Sequence, residues 1–175
     1  VLRRDGVESK LNPYDLYALE LAFQLRQKYG GRVRTITMGP PQAKAAVLEA
    51  LYMGADGGAV ISDRRFAGAD VLATSYTLAQ GLRSLAPFDL ILCGKQTTDG
   101  DTAQVGPEIA EHLDLPHATG AAQVLAAGEG DITVRGAQDG LIVTQTLRLP
   151  CLVCVDGAVN TPRLPSYRRK KQLGE

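Results

Sequence analysis

A polar, glycine-containing loop occupies residues 94–106, directly after the apolar stretch 90–93. Gly94 and Gly100 allow close approach of the backbone, and Lys95 supplies a cation. We expect Asp99, Asp101 or Thr102 to cap the following helix, and Gln96 and Gln104 to supply hydrogen-bond donors. A loop that leaves a strand and opens a helix presents unpaired N–H groups to an anion. The composition therefore predicts a nucleotide-binding loop. Its candidate binding residues are Gly94, Lys95, Gln96, Thr97, Asp99, Gly100, Asp101, Thr102, Ala103, Gln104 and Val105.

Two other segments carry polar residues where a helix begins. Residues 63–76 join a predicted strand to its helix, and their plainest interpretation is a loop with Asp70 as the helix cap. Residues 12–15, Asn-Pro-Tyr-Asp, are typical of a helix start. Neither the P-loop pattern nor the Rossmann glycine pattern occurs in the chain.

Metal, thiol-redox and nucleophilic chemistry receive little support. Cys151 and Cys154 have Cys-x-x-Cys spacing, but in a predicted strand their side chains point to opposite faces. His112 and His117 are isolated, and no serine, histidine and acid grouping stands out. We therefore expect no catalytic residue and no metal site.

Helices and strands must alternate to position these loops. Apolar periodicity predicts helices at 16–29, 43–53, 71–85 and 102–113, and strands at 33–38, 59–61 and 90–93. Beyond Pro116, strand-like runs at 121–127, 131–135, 141–147 and 152–155 are separated by glycine turns. The order predicts an α/β fold: a three-layer αβα domain with a doubly wound, mainly parallel sheet and an added antiparallel hairpin region. We expect residues 1–158 to form this domain and residues 159–175 a loop and basic tail.

Composition excludes several classes of function. The 175 residues contain 19 basic and 19 acidic side chains, so no overall field would attract nucleic acid. No apolar run approaches the ~20 residues that span a membrane, which predicts no membrane insertion. Three cysteines without a disulfide framework favour reduced thiols in a cytosolic or matrix-like compartment, and we expect a bacterial or archaeal cytoplasm ahead of a mitochondrial matrix. The basic residues near the C-terminus fit either a solvated end or a docking element.

Taken together in chain order, the motifs resemble the β subunit of electron transfer flavoprotein. The likeness extends over nearly the whole chain. Its motifs are Asn-Pro-Tyr-Asp at 12–15, Met-Gly-Pro at 38–40, Phe-Ala-Gly-Ala-Asp at 66–70, Gly-Lys-Gln at 94–96, Asp-Gly-Asp-Thr-Ala-Gln-Val-Gly-Pro-Glu-Ile-Ala-Glu at 99–111 and Asn-Thr-Pro-Arg-Leu-Pro-Ser at 160–166.

This resemblance implies an electron-carrying heterodimer. In that family the α subunit holds a redox-active FAD, and the β subunit binds AMP or, in electron-bifurcating members, a second FAD. The motif wording is closer to the bifurcating branch. Beyond the loop already described, the implied nucleotide contacts are Asn12, Pro13, Tyr14, Asp15 and Met38. In the bifurcating branch, the resemblance also implies flavin contacts from Phe66, Ala67, Gly68, Ala69, Asp70 and Thr74.

The resemblance also implies a second partner and further chain. Residues 160–166 match the recognition loop that docks onto acyl-CoA dehydrogenases or other flavin-dependent dehydrogenases, with Asn160, Pro162, Arg163, Leu164 and Pro165 as candidate contacts. The family carries a strand before the point that corresponds to Val1 and an arm beyond the point that corresponds to Glu175. The subunit itself would transfer electrons without an acid, base or nucleophile of its own.

Two other functions remain open at the level of sequence. An enzyme that uses ATP for adenylyl transfer can have the same αβα fold, and so can a free-standing nucleotide-sensing domain. Release of pyrophosphate would indicate the first, and a bound nucleotide without any flavin would indicate the second.

Overall fold

The computed structural model describes residues 10–98 and 100–174. The helices are α1 (Pro13–Tyr29), α2 (Lys44–Met53), α3 (Val71–Leu85), α4 (Val105–Leu113) and α5 (Tyr167–Gln172). The strands are β1 (Arg34–Met38), β2 (Gly57–Ile61), β3 (Leu90–Gly94), β4 (His117–Ala127), β5 (Asp131–Gln138), β6 (Leu141–Arg148) and β7 (Cys151–Val155). In this part of the chain, none of the helices has the length and apolarity needed to cross a membrane.

The α/β class predicted from the sequence is confirmed, but the described strands form two sheets rather than one. Strands β1 and β2 pair in parallel, and a five-stranded mixed sheet has the order β3-β7-β4-β5-β6. In that sheet β7 runs parallel to both β3 and β4, whereas β4, β5 and β6 form the expected antiparallel hairpins. Strand β3 follows α3 along the chain, yet its hydrogen-bonded neighbour is β7 and not β1.

Helix α1 joins the two sheets because it is apolar on two faces. Ala18 and Leu21 belong to a buried cluster with β4, β5 and β7. Leu19 and Phe23 belong to another cluster, with Ala50 and other residues around α2. Burial of a large apolar side chain stabilises a fold by roughly 1.5–3 kcal/mol, so each cluster fixes α1 firmly. The same helix thereby sets how its first turn meets β3.

The opposite face of the five-stranded sheet is covered by α3 and α4. Ile91, Ile109 and Leu152 form the centre of this third cluster. Cys154 lies in it, whereas Cys151 lies in the cluster under α1, so the two thiols face opposite ways, as predicted. Burial raises the pKa of Cys151 to about 11, which keeps the thiol protonated.

Several element boundaries differ from the sequence prediction. Strand β4 begins at His117 instead of 121 because its first residues pair with β7, a partner more than thirty residues away. Helix α4 begins at Val105 instead of 102, since Asp101 and Ala103 have positive φ angles, which a right-handed helix excludes. Part of the basic tail forms α5, which packs on α2.

The strand β4 bends where the parallel and antiparallel parts of the sheet meet. Its register shifts between Ala118 and Ala121, and Gly120 has a φ of 66°, which favours glycine. Opposite the bend, Gly136 lies so close to the Gly120 carbonyl oxygen that a Cβ atom would overlap it. The crossing therefore requires glycine on both strands.

We expect Gly136→Ala to lower the free energy of unfolding by about 1–3 kcal/mol, because backbone atoms must move to admit the methyl group. Gly128→Ala is the matched control, since a Cβ atom there meets nothing within 4 Å. Urea denaturation of both variants measures the difference. Equal stability of the two variants would contradict this account of the bend.

Candidate functional site

The first turn of α1 is hydrogen-bonded to the end of β3. The Gly94 N–H donates to Asp15 Oδ1 at 2.8 Å. The Asn12 side-chain amide donates to the Gln96 carbonyl oxygen at 2.8 Å and to Asp15 Oδ2 at 3.0 Å. Two motifs some eighty residues apart therefore form one structural unit.

Glycine is required at the centre of this unit. A Cβ atom on Gly94 would come within 2.7 Å of the Asp15 nitrogen and of the Tyr14 carbonyl oxygen. Both are backbone atoms that cannot rotate away. The close approach explains why the first residue of the predicted loop is glycine.

Asp15 is partly buried at this junction. Burial raises its pKa, and the hydrogen bonds from Asn12 and Gly94 offset part of the rise. The charged carboxylate is thus less favoured than in water. Its role here is to accept two hydrogen bonds that hold the loop.

One acceptor at the junction is left over. Asn12 Oδ1 is buried and has no hydrogen-bond partner among the described residues. The amide cannot be turned over to satisfy it, because its nitrogen already donates to two oxygen acceptors. A buried carbonyl oxygen of this kind suits a ligand that brings an N–H or O–H group.

The loop between β3 and α4 is folded on itself. The Gln96 side-chain amide donates to Asp101 Oδ1, and the Asp101 N–H donates to the Thr97 carbonyl oxygen at 3.2 Å. Lys95 Nζ lies 3.4 Å from Asp156 Oδ2 at the end of β7. The positive charge of Lys95, which the sequence suggested for a ligand, is therefore paired with a carboxylate of this chain.

The start of α4 differs from the expectation that Asp99, Asp101 or Thr102 would cap it. The capping position is Gln104, whose side chain makes no capping hydrogen bond, and Asp101 instead bonds Gln96. Asp99 lies outside the described residues. Thr102, Ala103 and Gln104 are exposed. The uncapped first turn of α4 thus keeps N–H groups available for an anion.

The segment 66–74 follows β2 and leads into α3. The predicted cap is confirmed, because Asp70 Oδ1 accepts the Ala73 N–H at 2.8 Å. Gly68 has a φ of 80°. Met38, another predicted contact, is the last residue of β1 and pairs with Ile61 at the end of β2, the strand that precedes this segment. Arg65 pairs with Asp63 at 2.7 Å, and this pair lowers the pKa of Asp63 to about 2.

Hydrogen bonds bring residues 12–15 and 94–96 together, whereas the segment 66–74 lies at the end of the other sheet. A cleft of about 570 Å³ opens beside Phe66. Its walls are apolar and include Ile36, Ala59, Ile61 and Tyr76. The residues of the loop 94–105 do not line this cleft, so it is a separate feature.

The segment 160–165 is fixed to α1 by its polar side chains. The Arg163 guanidinium donates two hydrogen bonds to Glu20, from Nε at 2.7 Å and from a terminal nitrogen at 2.9 Å. The Arg163 Cζ atom lies over the Phe23 ring, 4.8 Å from the ring centroid. The Arg163 N–H also donates to Glu20. Asn160 donates to the Tyr17 carbonyl oxygen at 2.9 Å.

The next residues are held open to solvent. Leu164 is 86% exposed and Tyr167 is 81% exposed. After Leu164, the chain is fixed again: the Ser166 N–H donates to the Tyr52 carbonyl oxygen, and Arg169 donates to the Leu51 and Ala55 carbonyl oxygens. An exposed leucine between two fixed points is suited to enter an apolar pocket of another protein.

Sequence reasoning did not select several residues that complete this arrangement. Glu20 and Tyr17 hold the segment 160–165, and Asp156 pairs with Lys95. Asp156 follows directly after a strand, which is a signal that could have identified it. Glu20 looks like an ordinary polar position in a helix, and only its partner distinguishes it. In the described part of the chain, no three or more His, Cys, Asp or Glu residues are grouped to hold a metal ion.

The pair of Glu20 and Arg163 makes stability depend on pH. Burial by itself would raise the pKa of Glu20, but the hydrogen bonds and charge of Arg163, helped by Gln24, lower it below the ordinary 4.5. A lowered folded-state pKa means that ionised Glu20 stabilises the native state above pH 4.5 and that this contribution is lost as the pH falls through the folded-state pKa.

We expect Glu20→Gln to cost about 1–3 kcal/mol of unfolding free energy at neutral pH, since the charge-assisted hydrogen bonds become neutral. The deficit relative to wild type should shrink as the pH falls below 4.5. The exposed Glu129→Gln serves as control, with no comparable loss. Urea denaturation of the variants and the wild type, from neutral pH to below pH 4.5, measures this difference in unfolding free energy. A difference that does not change with pH would refute the role of the Glu20 charge.

Comparison with known proteins shows the family of this chain. The model of the electron transfer flavoprotein domain matches residues 1–174. Among curated proteins, the electron transfer flavoprotein subunit beta of Clostridium acetobutylicum is 47% identical over 169 residues, which cover 96% of this chain and 64% of that protein. Protein FixA of Azotobacter vinelandii is 44% identical over 167 residues, covering 93% of this chain and 59% of that protein.

The subunit beta of Megasphaera elsdenii is 42% identical over 172 residues, covering 94% of this chain and 63% of that protein. The chain thus spans less than two thirds of the length of these relatives. The domain match is consistent with the α/β fold described above. This chain belongs to the electron transfer flavoprotein family, in the group of its β subunits.

Proposed function

We propose that this chain is the nucleotide-binding part of an electron-carrier β subunit, which works in a heterodimer with an α subunit that holds a redox-active FAD. The observation that supports it most directly is the junction of Asn12, Asp15 and Gly94, where a buried acceptor has no partner among the described residues. The family membership supports electron transfer as the purpose of that junction.

An adenine nucleotide fits the chemistry of the junction. Adenine carries an amino group and ribose carries hydroxyl groups, and either donor could satisfy Asn12 Oδ1. The uncapped first turn of α4, beginning at Val105, suits a phosphate. Asn12, Gln96 and the start of α4 would therefore hold the nucleotide, while Asp15 keeps the two segments in register.

We further propose that the nucleotide is FAD, which corresponds to the bifurcating branch. The wording of residues 66–70 and 99–106 supports FAD over AMP, and AMP remains the alternative ligand. A flavin supplies one- and two-electron transfer when it is bound. This chain's residues would bind and orient it: Gly94 admits the close approach of α1, and backbone groups of residues 95–98 and 100–104 would face the ligand.

The segment 160–165 is the proposed docking element for a flavin-dependent dehydrogenase, such as an acyl-CoA dehydrogenase. Asn160, Arg163 and, beyond them, Ser166 fix its backbone before any partner arrives. A loop ordered in advance loses less conformational entropy on binding. Leu164 is then presented to the partner at little cost, and Pro162 and Pro165 restrict the chain on either side of it.

We expect the full-length subunit, purified with its α subunit, to release two FAD molecules per heterodimer on denaturation. Gly94→Ala should release one, because the added methyl group forces α1 away from the loop. Gly128→Ala, in open space, should keep both. Chromatography of the released nucleotides gives the count. One FAD with one AMP in wild type would exclude the FAD version, and no nucleotide in the β subunit would exclude the site.

We expect Leu164→Ala to raise the KM of the dehydrogenase for the carrier about tenfold or more, because one buried leucine contributes roughly 1.5–3 kcal/mol. The kcat and the nucleotide content should not change. Leu141→Ala is the control, since that leucine is also exposed but lies on β6. Steady-state kinetics with a reduced acyl-CoA dehydrogenase measure the effect; an unchanged KM would exclude this loop as the docking element.

A further inference from the structure

A fully buried hydroxyl group connects α3 to α4. Ser75, whose exposure is 0%, contacts Glu108 Oε2 at 2.7 Å and His112 Nε2 at 3.3 Å through its Oγ. It also lies 3.0 Å from the Leu72 carbonyl oxygen. A serine hydroxyl has one proton to donate, and the carboxylate is the closest and strongest acceptor. The Ser75 oxygen can then accept a hydrogen bond from His112.

The cluster lies among apolar side chains. Leu78, Ile109 and Leu113 of the same two helices belong to one apolar cluster. Two helices could pack there through apolar contacts alone, and such contacts tolerate sliding and rotation better than a directed hydrogen bond does. A short bond between two named atoms therefore fixes the register of α3 against α4.

The two ends of this bond occupy informative positions along the chain. Ser75 comes directly after the segment 66–74, and Glu108 lies in the first turn of α4, directly after the loop 94–104. The segment 66–74 follows β2 of the two-stranded sheet, and the loop 94–104 follows β3 of the five-stranded sheet. Both segments belong to the proposed nucleotide site. The contact from Ser75 to Glu108 is thus a direct connection between the elements that carry them.

Further contacts brace the histidine from α3. The Tyr76 ring meets the His112 ring edge-on, with 5.5 Å between the centroids, and Arg83 donates to the His112 carbonyl oxygen at 2.6 Å. These contacts hold the C-terminal half of α4 to α3. The Ser75 to Glu108 bond holds the N-terminal half, next to the loops.

We infer that Ser75 and Glu108 are positioning residues that set the separation of the two nucleotide-site loops, 66–74 and 94–105, without touching the nucleotide themselves. The inference rests on the proposed function. Ser75 and Glu108 are 33 positions apart, so the sequence motifs alone do not show that these two residues meet.

The test is nucleotide affinity of the full-length subunit in its complex with the α subunit, measured by equilibrium dialysis with FAD and, separately, with AMP after the resident nucleotide has been removed. We expect Ser75→Ala and Glu108→Ala to weaken binding about tenfold or more, the effect of losing roughly 1–3 kcal/mol of loop positioning. Glu108→Gln keeps an oxygen acceptor for the Ser75 hydroxyl and should bind within about threefold of wild type.

The matched control is Ser84→Ala. Ser84 is an exposed serine of the same helix whose hydroxyl donates to the Gln80 carbonyl oxygen at 3.1 Å, within α3 itself. Its affinity should equal that of wild type. The dehydrogenase KM should be unchanged in all four variants, because the docking segment is held by α1 and α2 and not by α3 or α4.

The outcomes separate this inference from the proposed function. Wild-type affinity in Ser75→Ala would overturn the inference while leaving the nucleotide site intact. Weak binding in Glu108→Gln equal to that of Glu108→Ala, or a parallel rise in dehydrogenase KM in Ser75→Ala, would also overturn it, since the loss would then reflect general damage to the fold. Failure of the wild-type complex to bind either nucleotide would overturn the proposed function itself.

Discussion

The arrangement depends on one close contact, in which the backbone of α1 passes directly over Gly94. The Gly94 N–H donates to Asp15, and there is no room for a side chain between the end of β3 and the backbone of Tyr14. This contact brings the Asn-Pro-Tyr-Asp motif onto the loop that follows β3. It also explains how the charged Asp15 is accommodated in a partly buried position: its two hydrogen bonds offset part of the desolvation cost. Without it, the two motifs would be unrelated helix and strand ends.

Helix α1 carries two different tasks along its length. Its first turn supports the proposed nucleotide site, and its middle holds the proposed docking segment through Tyr17 and Glu20. Because α1 is packed into apolar clusters on two faces, the proposed nucleotide site and the proposed docking segment are both fixed to one rigid helix. A carrier that must bring its redox group to a defined place against a partner needs such a common frame, since electron transfer depends on the separation and orientation of the groups that exchange electrons.

Charged groups around the proposed sites are neutralised within the chain. Lys95 pairs with Asp156, Arg65 with Asp63, and Arg163 with Glu20. The two exposed pairs contribute little net energy. In the pair of Arg163 and Glu20, the hydrogen bonds and charge of Arg163 outweigh the desolvation of Glu20, so this pair also fixes the proposed docking segment. Recognition of a nucleotide would then depend on hydrogen bonds from amides and backbone groups, which discriminate by geometry.

The sequence by itself determined the types of the elements from α1 to β7, the loop after β3, the cap at Asp70 and the opposed faces of Cys151 and Cys154, because periodicity, capping and strand alternation are local properties. The site residues that it proposed remain predictions, although the structure brings 12–15 and 94–96 into contact. It could not determine the two-sheet arrangement, the start of α4 or the partners of Glu20 and Ser75. Those depend on contacts between residues far apart in the chain, and only tertiary packing decides which distant groups meet.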